Sequence, residues 1–117
     1  MEQARAVLEA FISVDGVDQA AVVDPKGIVL SQVQRQEEPW VVSLATASIE
    51  SSLALGEALE KGELVQSQVE CEGGSLLVEP LARFGFLVLK SSPGANLGRI
   101  RYEIKKQKKL LEGAGPA

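Results

Sequence analysis

A three-layer α+β domain, with one five-stranded sheet between helices, is the fold class that three features of this 117-residue sequence predict. Five strand-like runs are separated by turn residues, which is the usual make-up of a small sheet. Two of these runs precede a long apolar helix and three follow it, so the order reads α-β-β-α-β-β-β-α. The links within the three-strand run are short, and short links favour an antiparallel meander. A sheet has two faces to cover. The first and last helices are expected to share one face, leaving the other to the long helix.

The elements follow from local pattern. Glu2 to Ile12 places Ala4, Val7, Leu8 and Phe11 at helical spacing, and Asp15-Gly16 marks the turn beyond. Val17 to Val23 and Ile28 to Val33 form a hairpin around Asp24-Pro25-Lys26-Gly27. There the proline pre-sets φ and the glycine tolerates a left-handed exit. The long helix is expected from Glu38 to Lys61, with Pro39 in its first turn and Gly62 as its stop. Leu64 to Cys71 alternates, with Val65, Ser67, Val69 and Cys71 on one face and Leu64, Gln66, Gln68 and Glu70 on the other. Glu72-Gly73-Gly74 turns the chain into Ser75 to Glu79, and Pro80 lacks the donor needed to continue the ladder. Phe84 to Leu89 is almost wholly apolar and belongs in the sheet interior. Asn96 is a good N-cap for a last helix whose stripe is Leu97, Ile100, Ile104 and Leu111.

The length suits a single domain spanning residues 1–117, with 113–117 as a frayed tail. Hydrophobic residues make up 45%, enough for a packed core, while aromatics at 4% leave that core to Val, Leu, Ile and Ala. A lone cysteine, Cys71, forms no internal disulfide, and the charged N-terminus does not read as a signal peptide. No run approaches the roughly 18 apolar residues of a membrane span. A cytoplasmic protein without an integral membrane segment is the expectation.

Little in the chain points to chemistry. It has no histidine, which removes Ser-His-Asp and Cys-His sites and the commonest metal ligand. Cys71 reads as a small buried hydrophobe and the carboxylates as solvated faces. The glycines of Pro93 to Gly98 open a helix but lack the Lys-Ser/Thr pair of a phosphate loop. No catalytic residue, cofactor or metal site is expected, and the chain does not read as an enzyme.

Two helices carry the functional signal. In the long one, Ser43, Thr46, Glu50, Glu57 and Lys61 gather within about 60° of arc, while apolar residues spread over most of the rest. A helix lying on a sheet needs an apolar stripe only about 100° wide. The surplus calls for another protein chain. In the last helix, Arg99 to Lys109 carries six basic residues and one acidic, a net +5 that leaves −9 for the remainder. Arg99, Arg101, Lys105, Lys106, Lys108 and Lys109 therefore form either a solvated surface or a candidate surface for an acidic partner or anionic headgroups. The overall charge of −4 argues against general nucleic-acid binding.

Taken in order, Val14-Asp15-Gly16-Val17, Ala20 to Leu30, the long small-residue-rich helix, Leu77 to Leu81, Phe86 to Leu89 and Ala95-Asn96-Leu97-Gly98 resemble the roadblock/dynein light-chain family and its bacterial MglB-like members. The resemblance covers residues 3–112. It implies a profilin-like α/β/α sandwich and a homodimer joined through the long helix and the strand after it. The expected dimer contact is then Val42, Ala45, Ile49, Ser52, Leu53 and Gly56 with Leu64, Gln66 and Gln68. It also implies a non-enzymatic regulator or scaffold of a small Ras-like GTPase. The competing readings are a structural subunit of a motor, trafficking or polarity complex, and a small-ligand sensing domain. A sensor needs an enclosed pocket with converging polar groups.

Overall fold

The computed structural model describes residues 2–34, 40–82 and 85–113. Its elements run α1 (Glu2–Ile12), β1 (Val17–Val23), β2 (Val29–Gln34), α2 (Trp40–Ala58), β3 (Ser67–Cys71), β4 (Gly74–Leu81), β5 (Gly85–Ser91) and α3 (Leu97–Gly113). This is the order read from the sequence, and the strands form one sheet ordered β2-β1-β5-β4-β3. All four pairings are antiparallel. The apolar β5 run lies at the centre, and β3 closes one edge.

Helical and strand periodicity explain which residues meet. On one face, Ala4, Leu8 and Phe11 of α1 and Ile100, Ile104 and Leu111 of α3 pack on Ala20, Val22, Leu77, Leu87 and Leu89. On the other, Ala45 and Ile49 of α2 pack on Ala21, Val23, Val78, Phe86 and Val88. Alternate strand residues thus feed opposite cores, as the two-residue repeat requires. The first and last helices share a face, as expected.

Local chemistry fixes the connections. In the first hairpin the Asp24 carboxylate Oδ1 accepts the Lys26 and Ile28 N–H groups at 2.8 and 2.9 Å, and Gly27 adopts φ 90°. Asn96 Oδ1 accepts the Arg99 N–H at 3.0 Å and caps α3. At Gly85 the chain passes so close to β1 that a Cβ there would overlap the Val23 carbonyl oxygen. The residue's φ of 136° also suits glycine alone.

Several boundaries differ from the sequence reading, among them β4, which continues through Pro80 to Leu81 instead of ending at Glu79. The helix α2 ends at Ala58 rather than Lys61. Its last turn closes when Glu60 N–H donates to the Glu57 carbonyl at 3.1 Å and Lys61 N–H to the Gly56 carbonyl at 2.9 Å. This is a Schellman cap in which Glu60, not a glycine, takes the left-handed position at φ 55°. The expected first residues of this helix, Glu38 and Pro39, lie outside the described residues, as does Phe84 at the start of the last strand. Strand β3 begins at Ser67 rather than Leu64. With Ser67 opposite Val78, the register would bring Val65 opposite Pro80, which has no N–H for the ladder. Pro80 itself remains in β4, paired with Phe86 on the side away from β3.

Candidate interaction surface

The geometry of α2 separates its apolar residues into two sets. Ala45 and Ile49 lie in the protomer's own core, so they are removed from the expected dimer contact. The correction has a plain cause. Both sit on the arc that faces the sheet, packed with Ala21, Val23, Val78, Phe86 and Val88. Ser52 shares that side, its hydroxyl 3.3 Å from the Ser67 hydroxyl, and Gly56 is half-buried. Leu53 lines a cleft with Glu57, Leu64, Pro80 and Phe86 at the far end of the helix. The side chain of Val42 lies outside the described residues.

An outer arc of α2, to one side of the sheet-facing stripe, is formed by Leu44, Ala47, Ser48, Ser51, Ala54, Leu55 and Ala58, at 100° per residue, and carries no charged residue, while Glu50 and Glu57 lie on the other flank. Leu44 and Leu55 are 56% and 60% exposed, and Leu59 just beyond the helix is 57% exposed. Ala47, Ser51, Ala54 and Ala58 are exposed too, and they are small enough for another helix to approach closely. An uncharged helical face of this extent is a surface to be covered. Ala45 and Ile49, expected at a dimer contact, face the sheet, and the apolar surplus lies on this arc.

Beside this face lies the edge strand β3. Its odd-numbered residues Ser67, Val69 and Cys71 point to the α2 side, and its even-numbered residues point to the α3 side. Gln68 Oε1 accepts from Arg101 at 2.9 Å, and Gln66, just before the strand, donates to Glu79 at 3.2 Å. Glu79 is 7% exposed, and its other oxygen lies 3.5 Å from the Lys108 ammonium. The side chains of Gln66 and Gln68 are therefore engaged within the protomer, and what β3 offers a partner is its backbone edge and its α2-side residues. Leu64 is half-buried in the cleft that holds Leu53.

Cys71 is exposed, contrary to its expected burial, because it ends an edge strand and borders an open groove. A groove of about 450 Å³ runs between Leu44 and Ser48 on α2 and Val69, Cys71, Leu76 and Lys90 on the sheet. It is mainly apolar and opens onto the same surface. Among the described residues no group of three or more Cys, Asp or Glu is placed to hold a metal ion. No helix among them is long and apolar enough to cross a membrane.

The basic residues of α3 divide in the same way. Arg101 and Lys108 reach down to Gln68 and Glu79, whereas Arg99, Lys105, Lys106 and Lys109 are exposed.

A three-layer sandwich with a bare helical face beside an open strand defines a small docking domain of the regulatory or scaffolding class. The chain belongs to the Roadblock/LC7 family, whose domain model matches residues 4–91. The gliding protein MglB from Thermus thermophilus is 25% identical, with 96% of this chain and 87% of that chain covered and a TM-score of 0.84. An MglB solved in a tetrameric arrangement matches with the same identity, coverage and TM-score. MglB of Myxococcus xanthus is 20% identical over 96% of this chain and 94% of that one, with a TM-score of 0.85. Profilin of Schizosaccharomyces pombe shares the fold at 13% identity and a TM-score of 0.64, covering 96% of this chain and 98% of that one. Comparison with curated protein sequences gives no match.

Proposed function

We propose that this chain is a non-enzymatic, cytoplasmic homodimer that regulates or scaffolds a small Ras-like GTPase. The observation that carries the dimer is the uncharged outer arc of α2 beside the unpaired edge of β3. Two copies related by an axis normal to the sheet would pair their β3 edges and bring the arcs around Leu44, Ser51 and Leu55 together. Such pairing removes an open edge that is otherwise an aggregation hazard. The GTPase reading rests on the likeness to MglB. A chain without histidine would act on a GTPase by holding its switch segments in one arrangement.

Sedimentation equilibrium tests the dimer. The native chain is expected to sediment as a dimer, and Leu44→Asp with Leu55→Asp as a folded monomer, because a buried unpaired carboxylate is strongly unfavourable. A native chain that stays monomeric at all concentrations would refute the dimer. Mixing the native dimer with a Ras-like GTPase encoded beside it, in both nucleotide states, tests the rest. Binding in one state is expected, with turnover unaffected by Arg99→Ala or Arg101→Ala. No binding in either state removes the GTPase. A fall in turnover of about 10³-fold in one arginine variant would show an inserted arginine instead.

A further inference from the structure

We infer that the outward face of α3 is a docking surface for anionic lipid. The inference rests on how the helix distributes its charge, and it stands apart from the GTPase reading. With Ile100, Ile104 and Leu111 buried, the opposite pole of the helix falls at Tyr102 and Lys109, at 100° per residue. Within about 65° of that pole the side chains are Arg99, Tyr102, Lys105, Lys106 and Lys109, with no carboxylate among them. Glu103 and Glu112 flank the arc, and the Glu112 carboxylate is already engaged by the Ala82 N–H. On the neighbouring α1, Arg5 and Glu9 pair with each other at 3.5 Å, and Glu2 leaves that helix at a net −1. Among the described residues, none of the four outward cations meets a carboxylate.

The form of the surface decides between a bilayer and an acidic protein. The four cations lie on a convex helix over about 15 Å of its length. Tyr102 stands in their midst at 64% exposure, and no described cleft is lined by any of the five. A protein partner draws most of its binding from apolar anchors seated in pockets, and this face offers none. A planar anionic surface needs only cations at one level, and a tyrosine between them suits the headgroup layer. The sheet also separates charge. The α2 side exposes Glu50, Glu57, Glu60 and Glu63, so a lipid surface would be met by α3 and repelled by the opposite face. In the proposed dimer the axis normal to the sheet would set both α3 helices on one side, doubling the contact.

Co-sedimentation of the full chain with vesicles tests this. Vesicles of phosphatidylcholine alone are compared with vesicles containing about 30% phosphatidylglycerol, at an ionic strength of about 0.1 M. Partitioning onto the anionic vesicles is expected to be several hundredfold greater, roughly fivefold for each of the four cations, and to collapse at high salt. Lys105→Gln with Lys106→Gln should lower it by about 25-fold, roughly fivefold for each charge removed. Lys61→Gln on the other face should leave it unchanged, and an unaltered circular dichroism melt shows that each variant is folded. Equal binding to both vesicles, or full binding by the double variant, would overturn the inference. So would tighter binding to soluble polyglutamate than to the anionic vesicles at matched charge concentration, which would assign the face to an acidic protein.

Discussion

On the α1–α3 side of the sheet, fourteen described residues are buried in one core that includes Phe11, Leu8, Leu87 and Leu111. On the α2 side the corresponding core has seven described residues, and the helix contributes only Ala45 and Ile49 to it. Yet α2 is the most apolar of the three helices. The first pair of helices turn their single apolar stripe to the sheet, so their outer faces carry charge. The helix α2 uses a small part of its apolar surface that way and leaves Leu44, Leu55 and Leu59 to solvent. One face of the sheet is therefore finished within the chain, and the helix over the other leaves large apolar residues exposed.

The largest expected effect tests the finished side. Phe11→Ala should cost about 3–5 kcal/mol in urea denaturation, because it removes the largest buried side chain of the α1–α3 core. Ile49→Ala should cost nearer 2 kcal/mol, the low end for such a truncation, since five of the six other buried residues in its cluster are alanine or valine. Equal losses at the two positions would mean that the two faces hold the fold equally.

A smaller effect concerns the side of β3 that faces α3. Lys108→Met leaves the buried Glu79 carboxylate without its cation and should cost about 1–2 kcal/mol, given that the lysine is partly in water. Adding Glu79→Gln should recover most of that loss, and a double-mutant cycle reads the coupling. Strict additivity would show that the pair does not fasten α3 to β4.

The smallest effect is a gain. Glu60 holds a left-handed conformation that glycine adopts without strain, so Glu60→Gly should raise stability by about 0.5–1 kcal/mol in thermal melts. A loss would indicate that the carboxylate has a role in closing α2 beyond its backbone geometry.

Much of this architecture was legible because the signals were local. Asp24-Pro25-Lys26-Gly27, Asn96 and the alternation through β3 each carry their own physical reason, and each stands where it was expected. The burial parity of β3 was also legible, but the direction of each parity was not. Gln66 and Gln68 looked like edge residues awaiting a partner, whereas Glu79 and Arg101, distant in sequence, occupy them. The same limit applies to the arc of α2 that meets the sheet. A helix apolar on most of its circumference gives no clue to which arc meets the sheet, because Ile49 and Leu55 have the same chemistry. Only the packing of Ala45 and Ile49 on the sheet settles it. Cys71 looked buried from its residue type, and its exposure depends on where β3 falls in the strand order. The start of β3 was legible only with its partner in view, since Pro80 stops the ladder from the neighbouring strand.

Gly85 bears on how the sequence is free to drift. Any side chain there would drive into the Val23 carbonyl, so every substitution is a folding defect, with or without partners. Leu55 is the converse: it touches little within the chain, and folding alone would let it vary widely. A saturation library scored once for soluble monomer and once for assembly should therefore lose all variants at Gly85 in both screens. At Leu55 it should lose them in the second screen only. The pair of positions separates what the chain keeps in order to exist from what it keeps for company.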